Sequence, residues 1–390
     1  MRKIFVIVTG DEYPNENAGA VRIHSFAKVF SELGFSPCVI GMGRSTSFQW
    51  GEYDGISYCS LRYDRKNRVS RILGRALFGH NLKNVLNRSE LSDIGGILYV
   101  SGGIFALRYV KRLSNRYAIP LYFDSVEWYS PSEFKMGKLS PAYMANNRLN
   151  THSVDRKFRV FAISAFLEEH FRSRGIPTIR IPVIMDVQKI PFREANDEST
   201  ESEKIRMIYA GSPGRKDRLC EMVEAIGLLS PEKRRRIDFH IIGLTSEGYA
   251  KIYGEVPPSE LAESVVFEGR KPRHEVIRHV ADSDFAFLLR PPEERYAKAG
   301  FPTKAVESLS VGTPMLCNFS SDLSAYLKDG ENSVIIDNCT ADACYQALKR
   351  ILGLSREQMN RMRAEARRTA EKEFDWRKYT SAVEEFMLKR

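Results

Sequence analysis

The stretch "IRMIYAGSPGRKDRLCEMVEAIGLL" (Ile205–Leu229) decides the fold of this chain. A β-branched and aromatic run comes first, then a loop with two glycines and two cations, then an amphipathic helix. The alternation continues downstream. "IDFHIIG" (237–243) is a strand, "VVFEGRKPRHEVIRHVADSD" (265–284) a strand, loop and helix, and "FAFLLRP" (285–291) another strand. "AKAGFPTKAVESLSVGTP" (297–314) supplies a turn and a helix, and "PMLCN" and "NSVIID" the closing strands. Strand–helix–strand order of this kind predicts a parallel sheet with helices on both faces.

Upstream lies "FREANDESTESEK" (192–204), polar and without apolar periodicity, which reads as an exposed connector. Before it the same alternation has already run once. "KIFVIVT" is a strand. "AVRIHSFAKVFSELG" places Val21, Phe26, Val29, Phe30 and Leu33 on one helical face, and Gly34 stops it. "SPCVIGM", "GGILYVSGG", "PLYFDSVEW", "RVFAISA" and "TIRIPVIMD" follow as strands, with helices between the later ones. The 390 residues are too many for one ordinary core. The fold class expected is therefore α/β, as two doubly wound halves. Ligands of such folds sit beyond the carboxyl ends of the strands, which predicts a site in a cleft between two facing sheets.

The net charge of +10 points to an anionic partner: a phosphorylated small molecule, anionic lipid or nucleic acid. No nucleic-acid motif accompanies it. The start "MRKIFVIVTG" has too short an apolar run for a signal peptide and reads as a buried strand. No stretch approaches the roughly 20 apolar residues of a spanning helix. The six cysteines show no metal-ligand spacing and read as reduced core thiols of a cytoplasmic protein. "RYDRKNRVSRILGRALFGHNLKNVLNR" (62–88) is basic and amphipathic. It suits peripheral contact with an anionic membrane, the alternative being a solvated helix packed by its apolar face.

Several strand-to-helix junctions carry candidate chemistry. In "AGSPGRKD", Gly211 lets a ligand approach the backbone, and Ser212, Arg215 and Lys216 would meet a phosphate there. "FEGRKPRHEVI" offers Gly269 and Arg270 as a loop over a base or phosphate. In the 297–314 segment, Gly300, Phe301 and Pro302 form a rigid turn and Thr303 is placed to cap the helix. Lys304 in the first turn opposes the helix dipole, which is unfavourable unless an anion sits there. Glu307, one turn on, can accept two hydroxyl hydrogen bonds, as from a ribose diol. In "ENAGAVR", Gly19 and Ala20 leave room at another helix N-terminus. "FDSVEWYS" places Asp124 and Glu127 at the end of a strand, where either could orient or deprotonate a hydroxyl, or Asp124 could be a cap.

Taken in this order and spacing, these segments resemble the GT-B glycosyltransferases of the retaining family 4 group, over nearly the whole chain. "IPVIMD" resembles the family's hinge, and "AGFPTKAVESLSVGTPML" its signature region in the variant with Pro-Ser/Thr-Lys before the Glu. "FDW" resembles the start of a last helix that crosses back to the N-terminal domain. The resemblance implies two Rossmann-like domains across a cleft: 1–184, joined by 375–390, on the acceptor side, and 185–374 on the nucleotide-sugar side. It implies that Gly211, Arg215 and Lys216 hold the diphosphate. Gly300–Thr303 with Lys304 would hold phosphate and sugar, Glu307 the ribose, and Glu127 the donor sugar or acceptor hydroxyl.

The family's first Glu, in Glu-x7-Glu, is Ala299 here, so that Glu294 or backbone groups would take its place. The activity implied is retaining, metal-independent transfer from a UDP- or GDP-sugar to a glycan or lipid-linked acceptor, in surface polysaccharide assembly, with no resident cofactor. A nucleotide-sugar epimerase or hydrolase, and an inactive partner subunit, are the alternatives.

Overall fold

The computed structural model describes residues 2–14, 17–43, 48–62, 68–192, 204–211 and 216–389, except 87–92; for residue 62 and residues 68–76 it describes the backbone alone. The chain divides into two compact units, residues 1–186 with 376–390, and residues 187–375.

In the first unit the strands are β1 (Ile4–Glu12), β2 (Ser36–Gly43), β3 (Gln49–Tyr53), β4 (Ile56–Arg62), β5 (Ile94–Tyr99), β6 (Leu121–Ser125), β7 (Phe158–Ala162) and β8 (Thr178–Arg180). They form one sheet in the order β3-β4-β2-β1-β5-β6-β7-β8. Every pairing is parallel except β3 with β4. That antiparallel hairpin is absent from the strand reading of the sequence, because its exposed strand β3 carries no buried face. The helices are α1 (Ala18–Glu32), α2 (Arg68–Leu86), α3 (Gly103–Tyr117), α4 (Pro141–Arg148), prolonged by a π-type turn at Leu149–Ser153, and α5 (Ala165–Arg172).

The second unit has β9 (Ile205–Ala210), β10 (Ile237–Ile242), β11 (Val265–Gly269), β12 (Phe285–Leu288), β13 (Met315–Cys317) and β14 (Ser333–Ile335), all parallel, in the order β11-β10-β9-β12-β13-β14. Its helices are α6 (Leu219–Gly227), α7 (Pro231–Arg235), α8 (Ser246–Tyr253), α9 (Arg273–Ala281), α10 (Arg295–Ala299), α11 (Thr303–Ser310), α12 (Ala341–Leu352) and α13 (Arg356–Glu373). The final helix, α14 (Thr380–Leu388), packs in the first unit, where Trp376, Val383 and Phe386 join Phe26, Phe30 and Phe161 in one core. Arg377 fixes the start of this segment by pairing with Asp186 at 2.9 Å.

Both sheets reverse strand order beside their first strand: β1 lies between β2 and β5, and β9 between β10 and β12. Connections leave to opposite sides at such a point, so the strand ends there open a crevice.

Within the basic 62–88 stretch, Arg68–Leu86 form α2, and residues 63–67, 87 and 88 lie outside the described residues. The side chains of Arg68, Arg71 and Arg75, and of Val69, Ile72 and Leu73, lie outside the description. Further along α2, Phe78, Leu82, Val85 and Leu86 are buried within the unit, and Gly79 lies against the start of α3. That part of the apolar face is taken up by packing apart from Leu77, which is 52% exposed. Among the described residues, no helix is long and apolar enough to cross a membrane.

Asp124 does not face a ligand. It is 1% exposed and takes Arg22, itself 4% exposed, in a forked pair with N–O distances of 2.8–3.2 Å. The Arg22 guanidinium also donates to the Ile181 carbonyl at 3.0 Å and to that of Pro182. One ion pair thus ties α1, β6 and the end of β8 together. Asp124→Ala leaves a buried guanidinium without its anion, which costs about 3–5 kcal/mol. Urea unfolding of the full chain is expected to show that loss, and an unchanged midpoint would contradict the assignment.

Candidate functional site

At the crevice between β9 and β12 the second unit gathers its charges. Tyr209, on β9, is fully buried. Gly211 follows the strand, and Arg290 leaves the end of β12. Lys304 enters from the first turn of α11. Tyr209, Arg290 and Lys304 converge on Asp217, which is 2% exposed. Asp217 Oδ2 accepts from Lys304 Nζ at 3.0 Å and from the Tyr209 hydroxyl at 2.5 Å. Its Oδ1 accepts from Arg290 Nε at 2.9 Å, and its carbonyl takes the Tyr253 hydroxyl at 2.5 Å. Lys304 also donates to the Tyr209 hydroxyl and lies 3.9 Å from its ring centroid.

The electrostatics follow from burial. Burial alone would raise the Asp217 carboxyl, but Lys304 and Arg290, with the Tyr209 hydroxyl, hold it well below the usual carboxylate range. Burial pushes the Lys304 ammonium down to about 8; Asp217 opposes this, while Arg290 and Lys216 add to it. Burial and the Asp217 charge raise the Tyr209 phenol. Two cations, Lys304 and Arg290, therefore share one carboxylate, so this cluster carries more positive than negative charge and favours a second anion there.

The sequence reading expected an external anion to offset Lys304 against the helix dipole. The fold supplies one internally in Asp217. Thr303 does not cap α11: Pro302 holds the N-cap position, no side-chain hydrogen bond caps the helix, and Thr303 is its first residue. The Phe301 ring is 6% exposed and packs on Tyr326 and Phe374 at centroid distances of 5.7 and 5.8 Å, so only its backbone can serve a ligand. Pro302 is buried, Gly300 half-buried, and Ala299, fully buried, ends the short helix α10, an element the sequence reading folded into the turn.

The ends of β9, β10 and β11 carry glycines at positive φ. Gly211, at φ +145°, leaves the space that Lys304 fills; a Cβ there would lie 2.5 Å from Lys304 Cε. Gly243, at φ +102°, follows β10, and any side chain on it would overlap the Gly211 carbonyl. Gly269 closes β11, its N–H on the Leu244 carbonyl at 3.1 Å. Arg270 beside it is exposed. Ser212 and Arg215 lie outside the described residues.

Glu307 sits one turn into α11, and Arg273 at the start of α9 pairs with its Oε1 at 2.7 Å. Sequence reasoning gave no role to Asp217, Arg290, Tyr209, Gly243 or Arg273. Asp217 and Arg273 lay inside quoted motifs. The signal for Arg290 was a cation placed directly after a strand.

The first unit has a separate cluster at its own reversal, beside β1 and β5. Ser101 Oγ accepts from Gly10 N at 2.8 Å and donates to Asp11 Oδ2 at 3.4 Å, and Thr9 Oγ1 reaches the same carboxylate oxygen at 3.2 Å. Gly19 is exposed nearby; a Cβ on it would lie 3.6 Å from Asp11 Oδ2. Ala20 is not available to a ligand: its side chain is buried and its N–H is capped by Asn17 Oδ1 at 2.9 Å. Glu127 is exposed after β6, and its carbonyl accepts from Asn146 and Asn150, each at 3.2 Å. Burial raises the Tyr129 phenol, and the Glu127 carboxylate, charged and hydrogen-bonded to it, raises it further. Among the described residues, no group of three or more His, Cys, Asp or Glu is placed to hold a metal ion.

Two parallel α/β units, each with polar groups at its strand-order reversal, define the GT-B class, and solved structures agree over the full length. Sucrose-phosphate synthase from Thermosynechococcus elongatus matches with a TM-score of 0.72 at 13% identity, covering 98% of both chains. Anabaena Alr3699/HepE, solved with UDP and glucose, matches at 0.68 and 12%, covering 98% of this chain and 99% of its own. WaaG, a glycosyltransferase involved in lipopolysaccharide biosynthesis, matches at 0.68 and 11%, covering 99% and 100%. No curated protein matches the sequence. Residues 192–369 match the family described as glycosyl transferases group 1, which supports a glycosyltransferase.

Removing the Asp217 charge tests the cluster directly. Asp217→Asn takes away the attraction that holds the Lys304 proton, so the Lys304 pKa is expected to fall below about 8. Titration of the lysine ε-methylene by NMR reads this. An unmoved or raised value would show that Asp217 does not govern Lys304.

Proposed function

We propose that the protein is a retaining, metal-independent glycosyltransferase of the family 4 group that moves a sugar from a UDP- or GDP-sugar to a glycan or lipid-linked acceptor. The observation that carries this reading is the cationic crevice at the β9/β12 reversal. Lys304 and Arg290 pair with Asp217 and together exceed its charge, and Lys216 lies close enough to act on Lys304. A diphosphate fits this charge. The family match over 192–369 and the UDP bound by HepE support the same assignment.

In this reading the bond between the anomeric carbon and the donor phosphate breaks as the acceptor oxygen bonds to that carbon from the same face. The acceptor's proton passes to the departing phosphate oxygen. Charge builds on the diphosphate, and preorganised cations stabilise it without reorganising at the moment of reaction. Lys304 and Arg290 have that role here, with Arg215 and Lys216 on the preceding loop. Glu307, braced by Arg273, receives the ribose hydroxyls. Glu127 orients the acceptor hydroxyl. The setting proposed is the cytoplasmic side of the cell membrane, in surface polysaccharide synthesis.

A thermal-shift screen of the full chain against UDP, GDP and their sugar conjugates tests the donor class, since a ligand of the native state raises the midpoint. No shift with any nucleotide would overturn the proposal. Lys304→Ala is expected to lower turnover at saturating donor more than roughly tenfold by removing transition-state charge stabilisation. The Lys304 ammonium loses its proton above about 8, so UDP affinity is expected to fall as pH rises through that value. An affinity level from pH 7 to 9, measured by calorimetry, would remove Lys304 from the diphosphate site. NMR of the product's anomeric proton decides retention against inversion.

A further inference from the structure

A cavity of about 1000 Å³ opens in the first unit between the start of α3 and α4 with its π-type extension. It lies at the carboxyl end of β5, beside the strand-order reversal. Ser101, which anchors Gly10 and reaches Asp11, lines it. So does Tyr129, whose phenol is hydrogen-bonded to Glu127. The α4 wall is tied to the Glu127 loop, with Asn147 Oδ1 accepting from Trp128 Nε1 and Asn146 Oδ1 from Tyr129 N, both at 2.9 Å. The cavity is thus joined to the residue proposed to meet the acceptor hydroxyl.

The lining is chemically one-sided. Arg108, Arg148 and His152 all contribute to it and all are exposed, while no acidic side chain lines it among the described residues. Neither arginine makes an ion pair among the described residues. Ile104 and Met144, 40% and 56% exposed, add apolar surface at its edge. Beyond them the apolar surface continues: Phe105 in the first turn of α3 is 57% exposed, and Met136 and Leu139, in the segment packed against α4, are 62% and 72% exposed. Cations beside exposed apolar side chains complement a ligand carrying a negative group next to a hydrocarbon chain.

We propose that this cavity binds the acceptor, and that the acceptor is an anionic amphiphile: a phosphate attached to an alkyl or isoprenoid chain, as in a lipid-linked glycan. The phosphate pairs with Arg108 and Arg148, and the chain lies over Ile104, Phe105 and Met144. This rests on the glycosyltransferase reading and selects, within it, the lipid-linked acceptor over a free neutral glycan.

Decyl phosphate below its micellar concentration is the probe, with inorganic phosphate and octyl glucoside as the charge-only and chain-only controls. Calorimetry on the full chain is expected to show decyl phosphate binding roughly tenfold or more tighter than either control. Arg108→Ala with Arg148→Ala is expected to weaken it roughly tenfold or more, and Phe105→Ser with Met144→Ser to bring it toward the affinity of inorganic phosphate. Both pairs are at the surface, and an unchanged melting midpoint verifies that each variant folds. UDP affinity is measured alongside. If octyl glucoside binds as well as decyl phosphate, the anionic requirement is wrong. If inorganic phosphate does, the apolar requirement is wrong. If neither double variant alters binding, the cavity is not the site. In each of these cases retained UDP binding leaves the glycosyltransferase reading standing, whereas loss of UDP binding in the unaltered protein would sink that reading itself.

Discussion

The second unit is organised around one buried carboxylate. Asp217 is nearly inaccessible to water, and a carboxylate in that setting persists only if opposite charge and hydrogen-bond donors surround it. Lys304, Arg290 and the Tyr209 hydroxyl supply them from α11, the end of β12 and β9. Three elements distant in sequence are therefore fixed at one point by a single residue. The arrangement also resolves the awkward placement of a lysine at a helix N-terminus, where the dipole disfavours a cation. Asp217 neutralises part of that charge in the folded protein, so Lys304 can be held in place before any ligand arrives. Asp217 alone does not balance its two cationic partners, so the cluster keeps an excess of positive charge.

The first unit solves a similar problem differently. Its buried pair, Arg22 with Asp124, is closed: the guanidinium spends its donors on the carboxylate and on the Ile181 and Pro182 carbonyls. Nothing is left over for a ligand. The same two residue types, an Arg and an Asp near the ends of a helix and a strand, act as a structural clasp in one unit and as part of a cluster with an excess of cations in the other. The difference is stoichiometry. One cation on one carboxylate is a fastening, and two cations on one carboxylate form a field.

This also marks what the sequence made legible. Parallel α/β order was readable because buried strands and amphipathic helices leave strong local periodicities, as in "KIFVIVT" and "AVRIHSFAKVFSELG". The β3–β4 hairpin escaped because β3 is exposed, and α10 because five residues carry too little periodicity. Among candidate site residues, Gly211, Lys304 and Glu307 stood out because each was unusual where it stood: a glycine after a strand, a cation in a first turn, a carboxylate one turn further. Asp217, Arg290 and Tyr209 were ordinary in their local sequence. Their significance comes from convergence across 95 positions, as between Lys304 and Tyr209, which no local pattern encodes. Asp124 misled for the converse reason: a polar residue at a strand end looks ligand-facing until its partner 102 residues away is known.

Ala299 shows how the surroundings constrain a departure from a motif. It is fully buried at the end of α10, directly before Gly300 and the Phe301 ring that packs between Tyr326 and Phe374. A carboxylate at this position would have to be brought out of a packed environment or be paired within it, and the nearby cations are already engaged by Asp217. With a methyl group in its place, the turn from Gly300 to Pro302 carries no charged side chain, and the charges of the segment lie at Lys304 and Glu307. On the proposed donor-binding role, discrimination among donors would come from the shape of that turn and from groups outside it, such as Glu294 at the opposite end of α10. One short segment thus holds two different environments: charge at Lys304 and Glu307, and close packing around Ala299.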